Sequence, residues 1–434
     1  MRVYKPSGIE WLGEIPKHWE IRRLKYLVER IIGGGTPDTS NLQYWANDEN
    51  EGYLWVSIED ITNADFITDT KRYINQSGLA NSSAKLLPPF SILYSIYASL
   101  GKIAYSNKIL ATNQAILGIQ PNELLFYKFL FYYLQNTTNH IISFSNTTTQ
   151  NNISLFIVAN HKIPLPPLQE QKEIAEFLDS KCEKIQNYID KKQKLITLLQ
   201  EKKQALINEV VTKGLNPNIE FKNSGIAYLG LIPHHWEVTN LKNIVSIKSG
   251  GTPSRDNKDY WNGDIPWIRS EFCHNQHIFQ CDVKEKITTL GLQKSSAKMC
   301  EKNTILIALV GATIGQVAFL NFKSAINQNI AAIYPNNAAI LDNVFLFFVA
   351  LTFKQRFEIL GKYAIANLAF IGNLKIPLPP LQEQKQIANF LDEKCEKINS
   401  AIEKTKRQIT LIKEYKNTLI NEAVCGRIKL KEVK

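Results

Sequence analysis

What this sequence lacks narrows it before any motif is read. Its six cysteines form no CxxC pair and have no histidine partner at zinc-ligand spacing, so they read as buried reduced thiols, not disulfides or a metal site. No charged-then-apolar leader opens the chain, and the longest apolar run, Val344 to Phe353, is too short to span a bilayer. The expectation is a cytoplasmic protein with no membrane partner. Gly33-Gly34-Gly35-Thr36-Pro37 lacks the Gly-Lys-Ser/Thr ending of a phosphate-binding loop, so it reads as a turn. No Ser/His/Asp or Cys/His set is apparent.

What is present is length, positive charge and repetition. A chain of 434 residues exceeds one hydrophobic core and suggests two to four domains, which the 44% hydrophobic content can fill. A net charge of +11 and a pI near 9.1 favour a nucleic-acid partner.

One phrase occurs twice. Lys162-Ile163-Pro164-Leu165-Pro166-Pro167-Leu168-Gln169-Glu170-Gln171 returns as Lys375-Ile376-Pro377-Leu378-Pro379-Pro380-Leu381-Gln382-Glu383-Gln384, an offset of 213. Ser7 to Trp19 matches Ser224 to Trp236, Gly34-Gly35-Thr36-Pro37 matches Gly250-Gly251-Thr252-Pro253, and Tyr44-Trp45 matches Tyr260-Trp261. Trp55 with Trp267, Ser82-Ser83-Ala84-Lys85 with Ser295-Ser296-Ala297-Lys298, and Asn113-Gln114 with Asn327-Gln328 continue the series, the offset drifting only from 212 to 217. So long a period means two whole domains of one kind.

Within each copy, short apolar runs broken by Gly, Pro, Asn and Asp predict a mixed α/β globule. Leu54 to Ile61, Ser91 to Ala98, Ala111 to Ile119 and Ile305 to Val310 are strand candidates, and Leu124 to Gln135 and Asp342 to Ile359 helix candidates. The prolines of the repeated phrase force extended chain, and helix is possible only from Leu168 and Leu381 onward. From there Leu178, Cys182, Ile185, Ile189, Lys192, Ile196, Leu199, Lys203, Leu206 and Val210 step by four and three, as do Leu391, Cys395, Ile398, Ile402, Thr405, Ile409, Ile412, Lys416, Leu419 and Ala423. Each series is a coiled-coil seam. Lys192 with Thr405 and Lys203 with Lys416 read as polar register devices or partner-facing edges. The helices are predicted to stop near Gly214 and Gly426 and to pack on each other antiparallel, relating the two globules by a pseudo-twofold.

Candidate functional residues are weaker signals. Pro37-Asp38 with Asp69-Thr70-Lys71 fits a loose Mg²⁺-nuclease pattern of two carboxylates and a lysine, and makes a stand-alone endonuclease using Asp38, Asp69 and Lys71 the alternative reading. A salt-bridged hairpin edge accounts for the same residues. His18, His234 and His235 read as capping or surface groups beside the core anchors Trp19 and Trp236. Polar loop residues of a basic protein are candidate DNA contacts: Lys85, Lys102, Asn113, Gln114, Gln150 and Asn152 in the first copy, Arg255, Arg269, Lys298, Gln316, Asn327 and Gln328 in the second. Asn and Gln pair bidentately with adenine and Arg with guanine, whereas a turn residue or phosphate contact is the plainer role for each.

Two resemblances follow. Leu87-Pro88-Pro89-Phe90 resembles the amino-methyltransferase signature, but Leu87 has no group to hold an amine, and no S-adenosylmethionine turn accompanies it. The ordered set SGIEWLGEIPKHWEIRRLKYL, GGTP with YW, SSAKLLP, ATNQ, TTTQNNIS and KIPLPPLQEQKEIAEFLD, largely duplicated, resembles the specificity subunit of type I restriction–modification systems over essentially the whole chain. That likeness implies two target recognition domains (1–165 and 216–378), a central conserved helical region (166–215) and a distal one (379–434). It implies a non-enzymatic reader of a bipartite double-stranded DNA target, asymmetric because the two copies differ in their loops. Two modification subunits carrying S-adenosylmethionine would methylate adenine, and restriction subunits would use ATP. The chain itself would hold no cofactor and no metal.

Overall fold

The computed structural model describes residues 3–9, 11–143, 152–274, 276–359 and 366–428. The chain divides into two compact units, 1–192 with 407–434, and 193–406, so each unit takes part of both long helices.

In the first unit one four-stranded sheet has the order Leu110–Thr112, Tyr53–Val56, Tyr73–Ile74, Trp45–Ala46, and a second the order Val28–Gly33, Ile116–Pro121, Ile92–Ser95, Ile103–Tyr105. Leu110–Thr112 and Tyr53–Val56 run parallel, while the whole second sheet is antiparallel. The helix Tyr127–Ser143 covers the second sheet with Phe129, Leu130, Tyr133 and Leu134, all fully buried. The second unit repeats this plan with Lys286–Ile287, Trp261–Ile268, Ser324–Ile326 and Lys298–Cys300 in one sheet. Its other sheet has five strands, from Val245–Ser249 to His277–Ile278.

Several expected boundaries move, each for a local reason. The expected strand Leu54 to Ile61 ends at Val56. Ser57 and Asp60 form a capping box there, and a short helix, Ile58–Asn63, follows. The expected strand Ala111 to Ile119 is two strands, because the Asn113 side chain accepts from the Ala115 amide and turns the chain between them. The expected helix Asp342 to Ile359 is Asn343–Ala350 followed by Phe353–Ile359. Five of the six free cysteines are buried, but Cys281 is at the surface.

The repeated phrase behaves alike in both units. Lys162–Leu165 pairs with Glu20–Arg23 and Lys375–Leu378 with Glu237–Asn240, after which helices run over Leu168–Lys213 and Leu381–Val424, 46 and 44 residues. Gln171 and Gln384 are fully buried and close each junction. Gln171 donates to the carbonyls of Pro166 and Leu124 and accepts from the Phe126 amide; Gln384 does the same with Pro379, Ile340 and Asp342. Gly214 and Gly426, at φ +76° and +74°, end the helices in the left-handed conformation that other residues resist.

The twelve apolar positions expected along the seam are all buried or half-buried: Leu178, Ile185, Ile189, Ile196, Leu199, Leu206, Leu391, Ile398, Ile402, Ile409, Ile412 and Leu419. Toward the helix C-termini the deepest burial shifts by one residue, to Ile207 and Val211 and to Ile420 and Val424, where the helices enter the domain cores. Within the first unit Cys182 lies near Lys416; within the second, Lys203 lies near Cys395 and donates to Asn399 Oδ1 at 2.9 Å and Gln276 Oε1 at 2.6 Å. Burial lowers the affinity of that Lys203 amine for its proton. Lys416 and Lys203 thus each have a cysteine as neighbour within their own unit, Cys182 and Cys395.

Candidate nucleic-acid interface

The site builds up from the Gly-Gly-Thr-Pro loop, present once in each unit. Gly34 passes against the carbonyls of Thr112 and Asn113, and Gly250 against that of Ile326, so closely that a Cβ would collide with backbone. This approach brings the loop alongside the Asn-Gln turn. Thr36 donates to Gln114 Oε1, and Thr252 donates to Gln328 Oε1 at 2.7 Å, leaving both glutamine side chains exposed.

Under the loop stands a pair of tryptophans. Trp55 Nε1 donates to the Gly35 carbonyl and Trp267 Nε1 to the Gly251 carbonyl, each at 3.0 Å. Trp45 meets Trp55 edge-on at 5.1 Å and 83°, and Trp261 meets Trp267 at 5.2 Å and 89°. Trp45 Nε1 donates to the Asp38 carbonyl at 3.2 Å and Trp261 Nε1 to that of Ser254 at 2.9 Å, so the indoles fix both ends of the loop.

The candidate DNA contacts distribute unevenly around this platform. In the first unit Lys85, Lys102 and Gln114 are exposed. Asn113 is half-buried and spends its carbonyl on the turn to Ala115, and Asn152 is half-buried beside Ile153, whose amide donates to Ile96 O. Gln150 lies outside the described residues. In the second unit Arg255, Lys298 and Gln328 are exposed. Asn327 is only 5% exposed and holds the Asn329 amide, so it serves the fold. Gln316 lines a cavity of about 390 Å³ with Gln204, Gln276 and Lys354, and its buried Oε1 has no hydrogen-bond partner among the described residues. Arg269 hydrogen-bonds Glu271 and forms an ion pair with Glu285. Sequence reasoning passed over Arg72 and Glu285, which sit beside the tryptophan pairs. The repeat sets these two residues opposite each other with unlike charges, but gives no sign of the tryptophans they adjoin.

The nuclease alternative does not assemble. The Asp38 carboxylate caps its own turn through the Ser40 amide at 2.9 Å and hydroxyl at 2.7 Å, which lowers its pKa. Asp69 is taken by the Tyr73 hydroxyl, which lowers the carboxyl and pushes the phenol up to about 12, and Lys71 pairs with Glu59. Among the described residues no three His, Cys, Asp or Glu side chains gather as a metal site, and no helix is long and apolar enough to cross a membrane. The histidines read as capping groups do bond: His18 with Glu170 at 2.8 Å and His235 with Glu383 at 2.6 Å, while His234 is exposed.

This architecture has known counterparts. A structure described by the assembly and conformational transition of a type I restriction–modification system superposes with TM-score 0.74, at 18% identity over 95% of this chain and 99% of that one. The HsdS subunit from Thermoanaerobacter tengcongensis superposes at 0.53, with 20% identity over 95% and 98%. A Methanocaldococcus jannaschii protein assigned as the type I restriction enzyme MjaX specificity subunit is 29% identical over 99% of both chains, and the MjaVIII specificity subunit of the same organism is 26% identical over 100% and 99%. The sequence model of the type I restriction modification DNA specificity domain matches residues 16–200 and again 233–411. Two matches, one on each copy of the repeat, establish that the chain belongs to the type I restriction–modification DNA specificity family.

Proposed function

We propose that this chain reads a bipartite, asymmetric duplex target, one half-site per domain, and scaffolds the two modification subunits and the restriction subunits of a type I complex. The observation that carries this reading is the duplicated loop platform. Gly-Gly-Thr-Pro, a tryptophan pair and an exposed glutamine recur in both units on one framework, while the charged residues around them differ. One framework with two sets of side chains suits one kind of ligand with two different sequences. The chain contributes positioning and recognition and performs no chemistry. S-adenosylmethionine, ATP and Mg²⁺ belong to the partner subunits in this reading.

The long helices form an antiparallel coiled coil in this account and relate the domains by a pseudo-twofold. Support comes from the exchange of repeat mates: Cys182 neighbours Lys416 in one unit, and Cys395 neighbours Lys203 in the other. The recognition domains then correspond to 1–165 and 216–378, and the helical regions to 166–215 and 379–434. Mixed with modification subunits, the chain is expected to shift a duplex carrying both half-sites, with affinity falling as salt rises because phosphate contacts release counterions. Equal shifting of duplexes that lack either half-site contradicts the reading.

A further inference from the structure

Each tryptophan platform carries an arginine, and the two arginines come from different places in the chain. In the second unit the Arg255 guanidinium lies 3.9 Å from the centre of the Trp261 ring and 5.5 Å from that of Trp267. Its Nη1 donates to Glu285 Oε1 at 2.9 Å, and Glu285 Oε2 lies 3.5 Å from Arg269 Nε. In the first unit Arg72 lies 5.1 Å from the Trp45 ring centre. Arg72 and Glu285 hold the same backbone position, because the Trp55 amide donates to Arg72 O at 3.1 Å and the Trp267 amide to Glu285 O at 3.0 Å. The residue matching Arg255 in the repeat is Thr39. A cation over the first tryptophan is therefore kept in both units, while the sequence positions that supply it are exchanged.

We propose that Arg255 reads a guanine edge in the second domain with Glu285 as its positioning residue, and that Arg72 is the guanine reader of the first domain. The inference rests on the DNA reading above and deepens it. Stacking fixes the plane of a guanidinium, and a carboxylate on one edge fixes its rotation, leaving the outer donors of the fork presented as a pair. The bound carboxylate also offsets much of the charge that would attract a phosphate. What remains valuable is geometry, and a planar two-donor fork matches O6 and N7 of guanine. More than half of the Arg255 side chain, 53%, is exposed and reachable by a duplex.

The test uses complete complexes built on the wild-type chain and on Arg255→Lys, Glu285→Gln and Arg72→Lys. Methylated adenines are mapped by sequencing host DNA, and binding to the mapped target and its single-base variants is measured across salt concentrations. Arg255→Lys is expected to relax one guanine position in one half-site, with discrimination there falling about ten- to a hundredfold and the other half-site unchanged. Arg72→Lys does the same in the other half-site. Glu285→Gln weakens the same position as Arg255→Lys at an unchanged melting temperature. It also steepens the salt dependence, since it frees a positive charge. A uniform loss over all sequences, with discrimination at every base position intact, identifies a phosphate contact and overturns the proposal. An unchanged recognition motif in Arg255→Lys and Arg72→Lys overturns it as well, and shows that the arginines only brace the tryptophans. A wild-type complex with no bipartite target sinks the parent reading itself, which separates the two failures.

Discussion

The indole Nε1 of Trp19 donates to Glu170 Oε2 at 3.0 Å, tying the N-terminal core anchor to the first turn of the first long helix, and Trp236 repeats the bond to Glu383 at 2.9 Å. Both tryptophans are fully buried. The carboxylate near each helix N-terminus also meets a histidine, so the Leu-Pro-Pro-Leu-Gln-Glu-Gln phrase is a lock between domain and helix.

Breaking the lock leaves buried groups unpaired, which costs more than the bonds were worth. Gln171→Ala strands two carbonyls and an amide, and is expected to destabilise the first unit by about 3 kcal/mol. Glu170→Ala, which strands one indole N–H, costs about 2 kcal/mol. Urea unfolding of each variant checks the order, and Gln384→Ala and Glu383→Ala should transfer the same loss to the second unit.

Acid should weaken the first unit through His161. Burial, reinforced by the neighbouring His140, lowers its folded pKa to about 4, and its buried Nε2 has no hydrogen-bond partner among the described residues. An unfolded histidine titrates near 6.5. Between those values the unfolded chain binds the proton and the folded one does not. Stability contributed by neutral His161 is therefore complete above pH 6.5 and lost as pH falls toward 4, about 3 kcal/mol in all. His161→Leu, which installs the residue found at the matching Leu374, should flatten the dependence of melting temperature on pH in that range. An unflattened profile assigns the acid sensitivity elsewhere.

Along the helices, Ile185→Asp is expected to unfold the paired segment and abolish assembly with modification subunits, since an unpaired carboxylate at a position only 7% exposed costs several kcal/mol. Ile398→Asp, at a half-buried site, should be milder. Lys203→Met replaces an amine already disfavoured by burial and should stay within about 1 kcal/mol of wild type. Sedimentation of the mixed subunits and thermal melting of the chain check all three.

How much was legible in the sequence differs by element. Both long helices begin where the prolines release the chain, at Leu168 and Leu381, and end before the glycines that stop them, because local chemistry decides those points. The strands were blurred where a capping box or a single asparagine cuts an apolar run, as at Ser57 and Asn113. Of the candidate site, Gln114 and Gln328 stand beside the Gly-Gly-Thr-Pro loops, a placement that the repeat alone did not give. Asn327 proved to be a turn residue of the core, since both roles use the same amide. Arg72 and Glu285 were missed because their neighbours Trp45 and Trp267 lie far away in sequence, and only the fold brings them together.

The central claim is that two readers fixed to one helical framework grip two half-sites at a set spacing. The most direct measurement is binding of the chain with its modification subunits to duplexes whose half-sites are separated by the native gap, by five added base pairs and by ten. Five base pairs rotate one half-site about half a helical turn away from its reader. The account predicts that this insertion abolishes specific binding; undiminished affinity after it contradicts the account.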